Sequence, residues 1–495
     1  MVFEAQDNVG GLWNHTIEST RLQVGREVFQ FSDFPWPSSA DMIPHNSQLV
    51  EYLQSYAQNF DLLPYIKFNS KVMSIDYVGE SEQEMQSWEL WGGAAKAFGS
   101  KGKWHLKVLD TKENSVKDYE TEFVILCIGR FSGLPNIPQL SPECGPEIFS
   151  GKVMHSMDYS AMKNSDAAQF IKGKRIAIIG SGKSATDIAF ECANANGNDK
   201  PCTMIQRNVH WGLPNLYPLG IKFTYVFFTR FPELMVHKPG EGFLANILAT
   251  LLTPLNMLMS KLVESHIRWK LPLKKHGMIP KESIARDAAS SCRALVLPDE
   301  KFYDKVEDGS IVLKKSQQFS FCKQGLIIDG DDKNPIYADI VIFATGYKGD
   351  EKLKNIFASP TFQTYITASP TSILPLYRQM IHPRIPQLAV IGYSESFSNL
   401  YTSEIRSIWL AHFLDEVFQF PSIKAMEEEI ETWENYMKRY AGNGGFRRAC
   451  IAGVQIWYND QLCRDIGCNP RRKKGFFSEL FEPYTSVDYK DLAPN

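Results

Sequence analysis

Gly180, Gly182 and Ala185 stand in G-x-G-x-x-A spacing within Lys174 to Ala193, KRIAIIGSGKSATDIAFECA, and small residues so spaced admit a dinucleotide pyrophosphate. Gly180 permits a tight turn after the apolar run Ile176 to Ile179, Gly182 lets the backbone approach the phosphates, and Ala185 lets helix and strand pack closely. The phosphates would rest on the helix N-terminus, which makes Ser181, Lys183 and Ser184 binding candidates beside the three small residues. The next apolar run, Thr203 to Gln206, ends in Arg207. An arginine there suits a ribose 2'-phosphate, whereas an acid suits a free 2'-hydroxyl, so the pattern favours NADP over NAD. The competing reading of Arg207 is a solvated cation at a strand end.

Such a site needs a strand, a turn and an amphipathic helix to hold it. Ala185, Ile188, Ala189, Cys192 and Ala193 fall at i, i+3, i+4, i+7 and i+8 and predict one buried helix face. A chain of 495 residues has room for two or three domains. Its net charge of -3 leaves no nucleic-acid footprint. Nine cysteines with no C-x-x-C pair predict reduced thiols, and their spacing counts against a disulfide reductase. Met1 to Asp7 lacks a basic start and an apolar core, so no secretory leader is read there and a cytoplasmic setting is expected. Phe243 to Met259 is uncharged but short for a membrane span, and Asn246, Pro254 and Asn256 interrupt it, which predicts a buried or interfacial helix pair. With the aromatic run Phe223 to Phe228 it leaves peripheral membrane contact open, while Arg471 to Lys474 reads as a solvated loop.

Two parts of the chain follow one plan. In the first, extended segments at Lys71 to Val78, Trp104 to Leu109 and Glu122 to Cys127 lead to Gly129; in the second, Ser310 to Lys314, Leu326 to Asp329 and Asp339 to Phe343 lead to Gly346. Both predict β-meanders attached to a parallel sheet. The second copy starts from the Gly180 turn. In the first, Phe3-Glu4 before Gly10-Gly11-Leu12-Trp13 reads as the end of a second strand and its loop, which puts Glu4 in the position of Arg207. An acid there would accept from an unphosphorylated adenosine ribose, as in FAD. By the same spacing a first strand with its own G-x-G-x-x-G falls roughly 25 residues before Glu4, outside the sequence.

Phe149, Gly151, His155 and Tyr159 form F-x-G-x-x-x-H-x-x-x-Y directly before the Gly180 fingerprint. With it stand Gly10-Gly11-Leu12-Trp13, Phe31-Ser32-Asp33-Phe34-Pro35, His45-Asn46, Phe343-Ala344-Thr345-Gly346-Tyr347, and Glu404 with Arg406 and Trp409. On these motifs, over nearly its whole length, the chain resembles the flavin-containing monooxygenase family, most of all its plant branch. Three positions depart from the pattern: the FAD fingerprint is not in the sequence, Ile128 replaces a usual threonine, and Gln23 stands where many relatives carry a flavin-facing asparagine.

The resemblance implies an NADPH- and FAD-dependent monooxygenase that passes one oxygen atom from a C4a-hydroperoxyflavin to a soft nitrogen or sulfur nucleophile. Its partners would be O2 and a small amine, amino acid or sulfide, with no metal. Gln23 is then the catalytic candidate, and Glu4, Gly11, Leu12, Trp13, His45, Asn46, Thr345 and Gly346 join the Gly180–Ala185 turn and Arg207 as cofactor-binding candidates. His155, Asp158 and Tyr159 read as structural; Glu404 with Arg406 reads as a helix salt bridge. Three alternatives stay open: an inactive, flavin-free NADP-binding relative, a Baeyer-Villiger-type enzyme, which usually carries tryptophan at the place of Tyr159, and an NADPH oxidase. The expected fold is α/β, with two doubly wound, Rossmann-like dinucleotide-binding domains and β-meanders. The NADP domain, 166–334 with a helical, aromatic insertion at about 213–290, is inserted in an FAD domain of 1–165 and 335–495. The cytoplasm is the expected location, with contact at the endoplasmic reticulum membrane left open.

Overall fold

A computed structural model describes the chain except residues 332, 370, 443–444, 447–448 and 493–495. At its start β1 (Val2–Phe3) pairs in parallel with β2 (Ile66–Lys67), which brings Phe3 opposite Lys67 and leaves Glu4 directly after the strand. Helix α1 (Asn46–Asn59) lies between them in sequence. An antiparallel meander follows, of β3 (Ser70–Val78), β4 (Lys103–Asp110) and β5 (Ser115–Thr121). In β4, Trp104, Leu106 and Val108 are buried and alternate with exposed Lys103, His105 and Lys107, the period of a sheet with one wet face. The third meander strand is thus Ser115–Thr121 and not the expected Glu122 to Cys127. That segment instead supplies β6 (Val124–Leu126), whose partner comes from far along the chain.

The second unit is built on β7 (Lys152–His155), β8 (Ile176–Ile179), helix α2 (Lys183–Asn196) and β9 (Cys202–Gln206). Between β10 (Gly212–Leu213) and β11 (Leu295–Val296) run the short α3 (Arg230–Leu234) and the long α4 (Phe243–Lys270). There follow β12 (Ile311–Lys315), a meander of β13 (Phe319–Cys322), β14 (Gly325–Ile328) and β15 (Ile336–Tyr337), and then β16 (Ile340–Phe343). The main sheet is parallel, in the order β12-β9-β8-β16-β7. Every residue of β8 and β16 is buried, which is why both read as unbroken apolar runs. Two of its five strands, β7 and β16, come from outside 166–334, because a strand buried on both faces takes a neighbour on each edge and β16 finds β8 on one side and β7 on the other. Ser310 to Lys314 likewise belongs to this sheet and not to a meander: its backbone pairs with β9 from Cys202 to Gln206.

Helix α4 corrects the expected helix pair. It runs unbroken for 28 residues through Pro254, where the hydroxyls of Thr250 and Thr253 bind the carbonyls of Asn246 and Ala249 in the preceding turn. It is long and apolar enough to cross a membrane. The expectation of reduced thiols is also corrected: Cys292 and Cys450, 158 residues apart, are disulfide-bonded, and the other seven cysteines are free. The pairing follows from packing of the turn Ala285–Ser290 onto Ala452–Val454, so close that a Cβ on Gly453 would sit 3.0 Å from Ala289.

The chain returns to the first unit through β17 (Leu388–Val390), the parallel partner of β6, and then α5 (Asn399–Leu414), α6 (Ile423–Ala441) and α7 (Gln455–Asp465). Buried aromatics from these helices, Trp409, Phe413 and Trp433 among them, share one core cluster with α2 and the insertion. That continuity holds the two nucleotide units against each other.

Candidate functional site

The Gly180 turn has the geometry its spacing predicts. Gly180 adopts φ +147°, its N–H donates to Ile205 O at 2.9 Å, and a Cβ there would lie 2.2 Å from the carbonyl oxygen of Ala344. Gly182 caps α2 with φ -85° and ψ -176°, and a Cβ there would meet nothing within 4 Å. The first glycine is therefore a tight crossing of two strand ends, and the second opens space above the helix N-terminus, where N–H groups are unpaired and an anion is favoured. Ala185 is fully buried; Ser181 and Ser184 are half-buried at the mouth of the turn. The Lys183 ammonium is held by Asp187 at 2.7 Å, so the contribution this residue has left for a ligand is its backbone. Arg207 lies exposed just past β9; its carbonyl accepts from Gln317 Nε2 at 2.9 Å, and its guanidinium has no carboxylate partner among the described residues.

Across from this turn, the N-terminal segment docks on α2. Thr20 Oγ1 donates to Asp187 at 2.6 Å, and the Ser19 N–H and hydroxyl donate to Glu191 at 3.0 and 2.9 Å. Tyr159 donates to the other Glu191 oxygen at 2.8 Å, which assigns the last residue of the F-x-G-x-x-x-H-x-x-x-Y motif to the same junction. Burial pushes the Asp187 carboxyl up against the opposing pull of Lys183 and Thr20, and does the same to Glu191 against Ser19 and Tyr159. Reading the sequence for ligands missed both acids. Their signal was the i, i+4, i+8 spacing of Lys183, Asp187 and Glu191 on the helix that carries the fingerprint.

Three residues further on, Gln23 Oε1 accepts from Val296 N at 3.1 Å, which ties the segment to β11; its Nε2 keeps no partner among the described residues and is free to donate. Asn46 N donates to Thr20 O, and Leu22 N to Pro44 O, so His45 and Asn46 lie directly beside Thr20 to Leu22 at the start of α1. Burial and neighbouring Arg21 lower the His45 pKa, with Asp41 opposing them.

Glu4 follows β1 directly; its Oε1 accepts from Gln6 N at 2.9 Å, and its charge acts on the half-buried Lys352 ammonium. Gly10 and Gly11 take φ +121° and +52°, conformations glycine adopts without strain, and start the turn that carries Leu12 and Trp13. Leu12 is exposed, while Trp13 packs on the cluster of Leu22, Trp36, Leu49 and Tyr52. Glu404 and Arg406 do not pair, because residues two apart on a helix face different ways. Glu404 accepts from the N–H and hydroxyl of Ser32, and buried Arg406 donates to Tyr458 and Ser394.

Thr345 and Gly346 lie where two connections between the units cross. Asn136 N donates to Gly346 O at 2.9 Å, Thr345 Oγ1 donates to Asn136 O, and Lys348 N donates to Leu134 O. His155 packs edge-on to Tyr347 beneath this crossing, and its Nδ1 accepts from Met157 N to cap a short helix. Burial lowers its pKa, while the Gly346 carbonyl acts the other way.

A family model described as flavin-binding monooxygenase-like matches residues 1–480. The chain belongs to that family. It is 39% identical over 498 residues to a protein named probable flavin-containing monooxygenase 1 of Arabidopsis thaliana, covering 99% of this chain and 91% of that one. Dimethylaniline monooxygenase [N-oxide-forming] 2 of Cavia porcellus is 26% identical over 515 residues, covering 99% and 84%. Among solved structures, an S-allyl-L-cysteine S-oxygenase from Allium sativum matches with a TM-score of 0.58 at 17% identity, over 99% of this chain and 86% of that one. A steroid monooxygenase bound to NADP matches with a TM-score of 0.62 at 17% identity, over 93% and 92%. The fold is thus the α/β fold of two-domain flavin monooxygenases, and FAD and NADP are the cofactors that go with it.

Proposed function

We propose that this flavin monooxygenase oxidises NADPH and transfers one oxygen atom from O2 to a soft nitrogen or sulfur nucleophile such as an amine, amino acid or sulfide. The observation that carries the reading is the open N-terminus of α2 at Gly182, next to Arg207 at the end of β9, with the segment that bears Gln23 docked on the same helix through Asp187 and Glu191. In this reading the N–H groups of Gly182 to Ser184 hold the NADP pyrophosphate, Arg207 pairs with the 2'-phosphate, and Glu4 accepts from the FAD ribose. FAD, when bound, supplies hydride acceptance and oxygen activation. In this reading Gln23, its amide oxygen held by the Val296 N–H, would offer Nε2 as a donor to the flavin. The Thr20–Asp187 and Ser19–Glu191 bonds hold the two units closed, which keeps water from the reacting atoms.

A flavin-free NADP-binding relative is the second reading. The observation on its side is that the parallel strands described in the first unit form two separate pairs, β1 with β2 and β6 with β17, beside the antiparallel meander β3-β4-β5, and not one sheet. Absorbance separates the two. Purified protein with a band near about 450 nm that bleaches on adding NADPH, and that returns oxygenated amine or sulfide in step with NADPH consumed, supports the monooxygenase. Colourless protein that still binds NADPH overturns it for this chain, and peroxide released in place of product assigns the oxidase.

A further inference from the structure

The bond between Cys292 and Cys450 ties together two stretches of chain that meet beside Gln23. Cys292 follows the turn Ala285–Ser290 and stands four residues before Val296, whose N–H holds Gln23 Oε1. This turn is knit around buried Asp287. The Asp287 carboxylate accepts from Trp211 N at 2.8 Å and meets His210 Nδ1 at 2.8 Å, while its carbonyl accepts from Arg293 N at 2.7 Å and Ala294 N at 3.0 Å. Leu295 N then donates to Trp211 O, so Cys292 and Val296 lie on one stiff piece of backbone and move together. On the other side Ile451, next to Cys450, donates its N–H to Glu395 O at 2.7 Å, between β17 and α5.

Exposure separates the two sulfurs: Cys292 is half-buried, whereas Cys450 is 1% exposed, so a small reagent in solution reaches Cys292 first. The backbone is held against its preference at both ends of the bond. Cys292 and Ala449, the neighbour of Cys450, each take φ +48°, a left-handed conformation that residues other than glycine seldom adopt. When the bond opens, both are free to relax, and the backbone that leads to Val296 goes with Cys292. The rest of the insertion stays in place, because Glu233 accepts from Ile456 N and Trp457 N and Arg230 pairs with Asp460 at 2.6 Å. Opening the bond therefore loosens the turn and the Gln23 contact locally.

We infer that Cys292 and Cys450 form a redox site for hydrogen peroxide that sets how firmly Val296 holds Gln23. In the dithiol form the Cys292 thiolate attacks one peroxide oxygen, the O–O bond breaks, and the departing hydroxide takes up a proton as water, which leaves a sulfenic acid on Cys292. The Cys450 thiolate then attacks the Cys292 sulfur, the S–O bond breaks, and the second oxygen departs as water with the second thiol proton. Two thiols thus lose two electrons and two protons, and peroxide becomes two waters. A small dithiol reverses the step by exchange and leaves as its own disulfide. Peroxide that escapes uncoupled turnover would tighten the site that leaked it, a consequence that rests on the function proposed above. The test is hydrogen–deuterium exchange of the full chain after hydrogen peroxide and after a millimolar dithiol. It needs neither flavin nor turnover, so protein that fails as a monooxygenase still decides the redox site. Exchange across residues 285–297 is at least about tenfold faster in the dithiol form, while peptides around Gly182 and Arg230 exchange alike in both. Cys292→Ser with Cys450→Ser exchanges like the dithiol form and no longer responds to peroxide. The inference is overturned if the dithiol leaves the bond closed in the folded protein, if peroxide does not restore it, or if the serine variant still responds. It is also overturned if residues 285–297 exchange alike in both forms or if exchange quickens evenly over the whole chain, for then the bond is a fixed staple.

Discussion

Gly180→Ala and Gly182→Ala, two residues apart, are expected to fail in different ways. At Gly180 the new Cβ sits 2.2 Å from the Ala344 carbonyl oxygen, about an ångström inside any real contact, and the backbone holds φ +147°. Overpacking and left-handed strain together cost about 2–5 kcal/mol, carried by the strand end that joins β8 to β16. At Gly182 the backbone is ordinary extended chain and the Cβ meets nothing within 4 Å, so the gain through the unfolded state offsets alanine's poorer capping and stability stays within about 1 kcal/mol of the parent. What Gly182→Ala takes away is close approach of the pyrophosphate to the helix N-terminus. Losing one charge-assisted bond of about 1.5–3 kcal/mol weakens NADPH about 10- to 150-fold. Thermal unfolding and titration of NADPH against intrinsic fluorescence read the two effects separately. A Gly182→Ala protein that binds NADPH like the parent refutes the phosphate cradle. A Gly180→Ala protein that melts like the parent refutes the crossing.

Arg207→Ala leaves no buried partner unpaired, so stability stays within about 0.5 kcal/mol while NADPH weakens about tenfold or more and NADH does not; equal losses for both nucleotides would remove Arg207 from the 2'-phosphate. Glu233 of α3 is buried, accepts from the N–H groups of Ile456 and Trp457 at 2.6 and 2.9 Å, and is pushed up from 4.5 to about 7, chiefly by burial. The folded state therefore holds this proton where the unfolded chain has lost it, so its contribution to stability falls as pH rises from 4.5 to about 7, by roughly 3 kcal/mol in all. Glu233→Gln flattens that slope in unfolding measured from pH 4.5 to 8; curves that run parallel to the parent contradict it. Thiol titration of denatured, unreduced protein is expected to find seven free cysteines, and nine after reduction; nine in both states removes the Cys292–Cys450 bond.

Much of the candidate site was legible because its signals are local. The Gly180 turn, the α2 face and the strand that stops directly before Arg207 are set by neighbours within about one helical turn, and β1 stops at Phe3, directly before Glu4. Misreadings arose where partners are distant. Glu122 to Cys127 and Ser310 to Lys314 have the alternation of meander strands, yet they pair with Leu388–Val390 and Cys202–Gln206. Pro254 reads as a break, but nearby hydroxyls and an unobstructed surface let α4 continue.

By itself the sequence determined the chemistry available at the nucleotide turn, since a glycine's conformational freedom and an arginine's charge belong to the residue. Tertiary structure alone decided how those groups are shared out. It turned Lys183 to Asp187, split Glu404 from Arg406, joined Cys292 to Cys450 across 158 residues, and set Thr20 and Ser19 against the fingerprint helix. It also left Leu244, Leu251 and Leu258 outside. The physical reason is that burial and pairing are properties of a site among its neighbours, and those neighbours come from parts of the chain hundreds of residues apart.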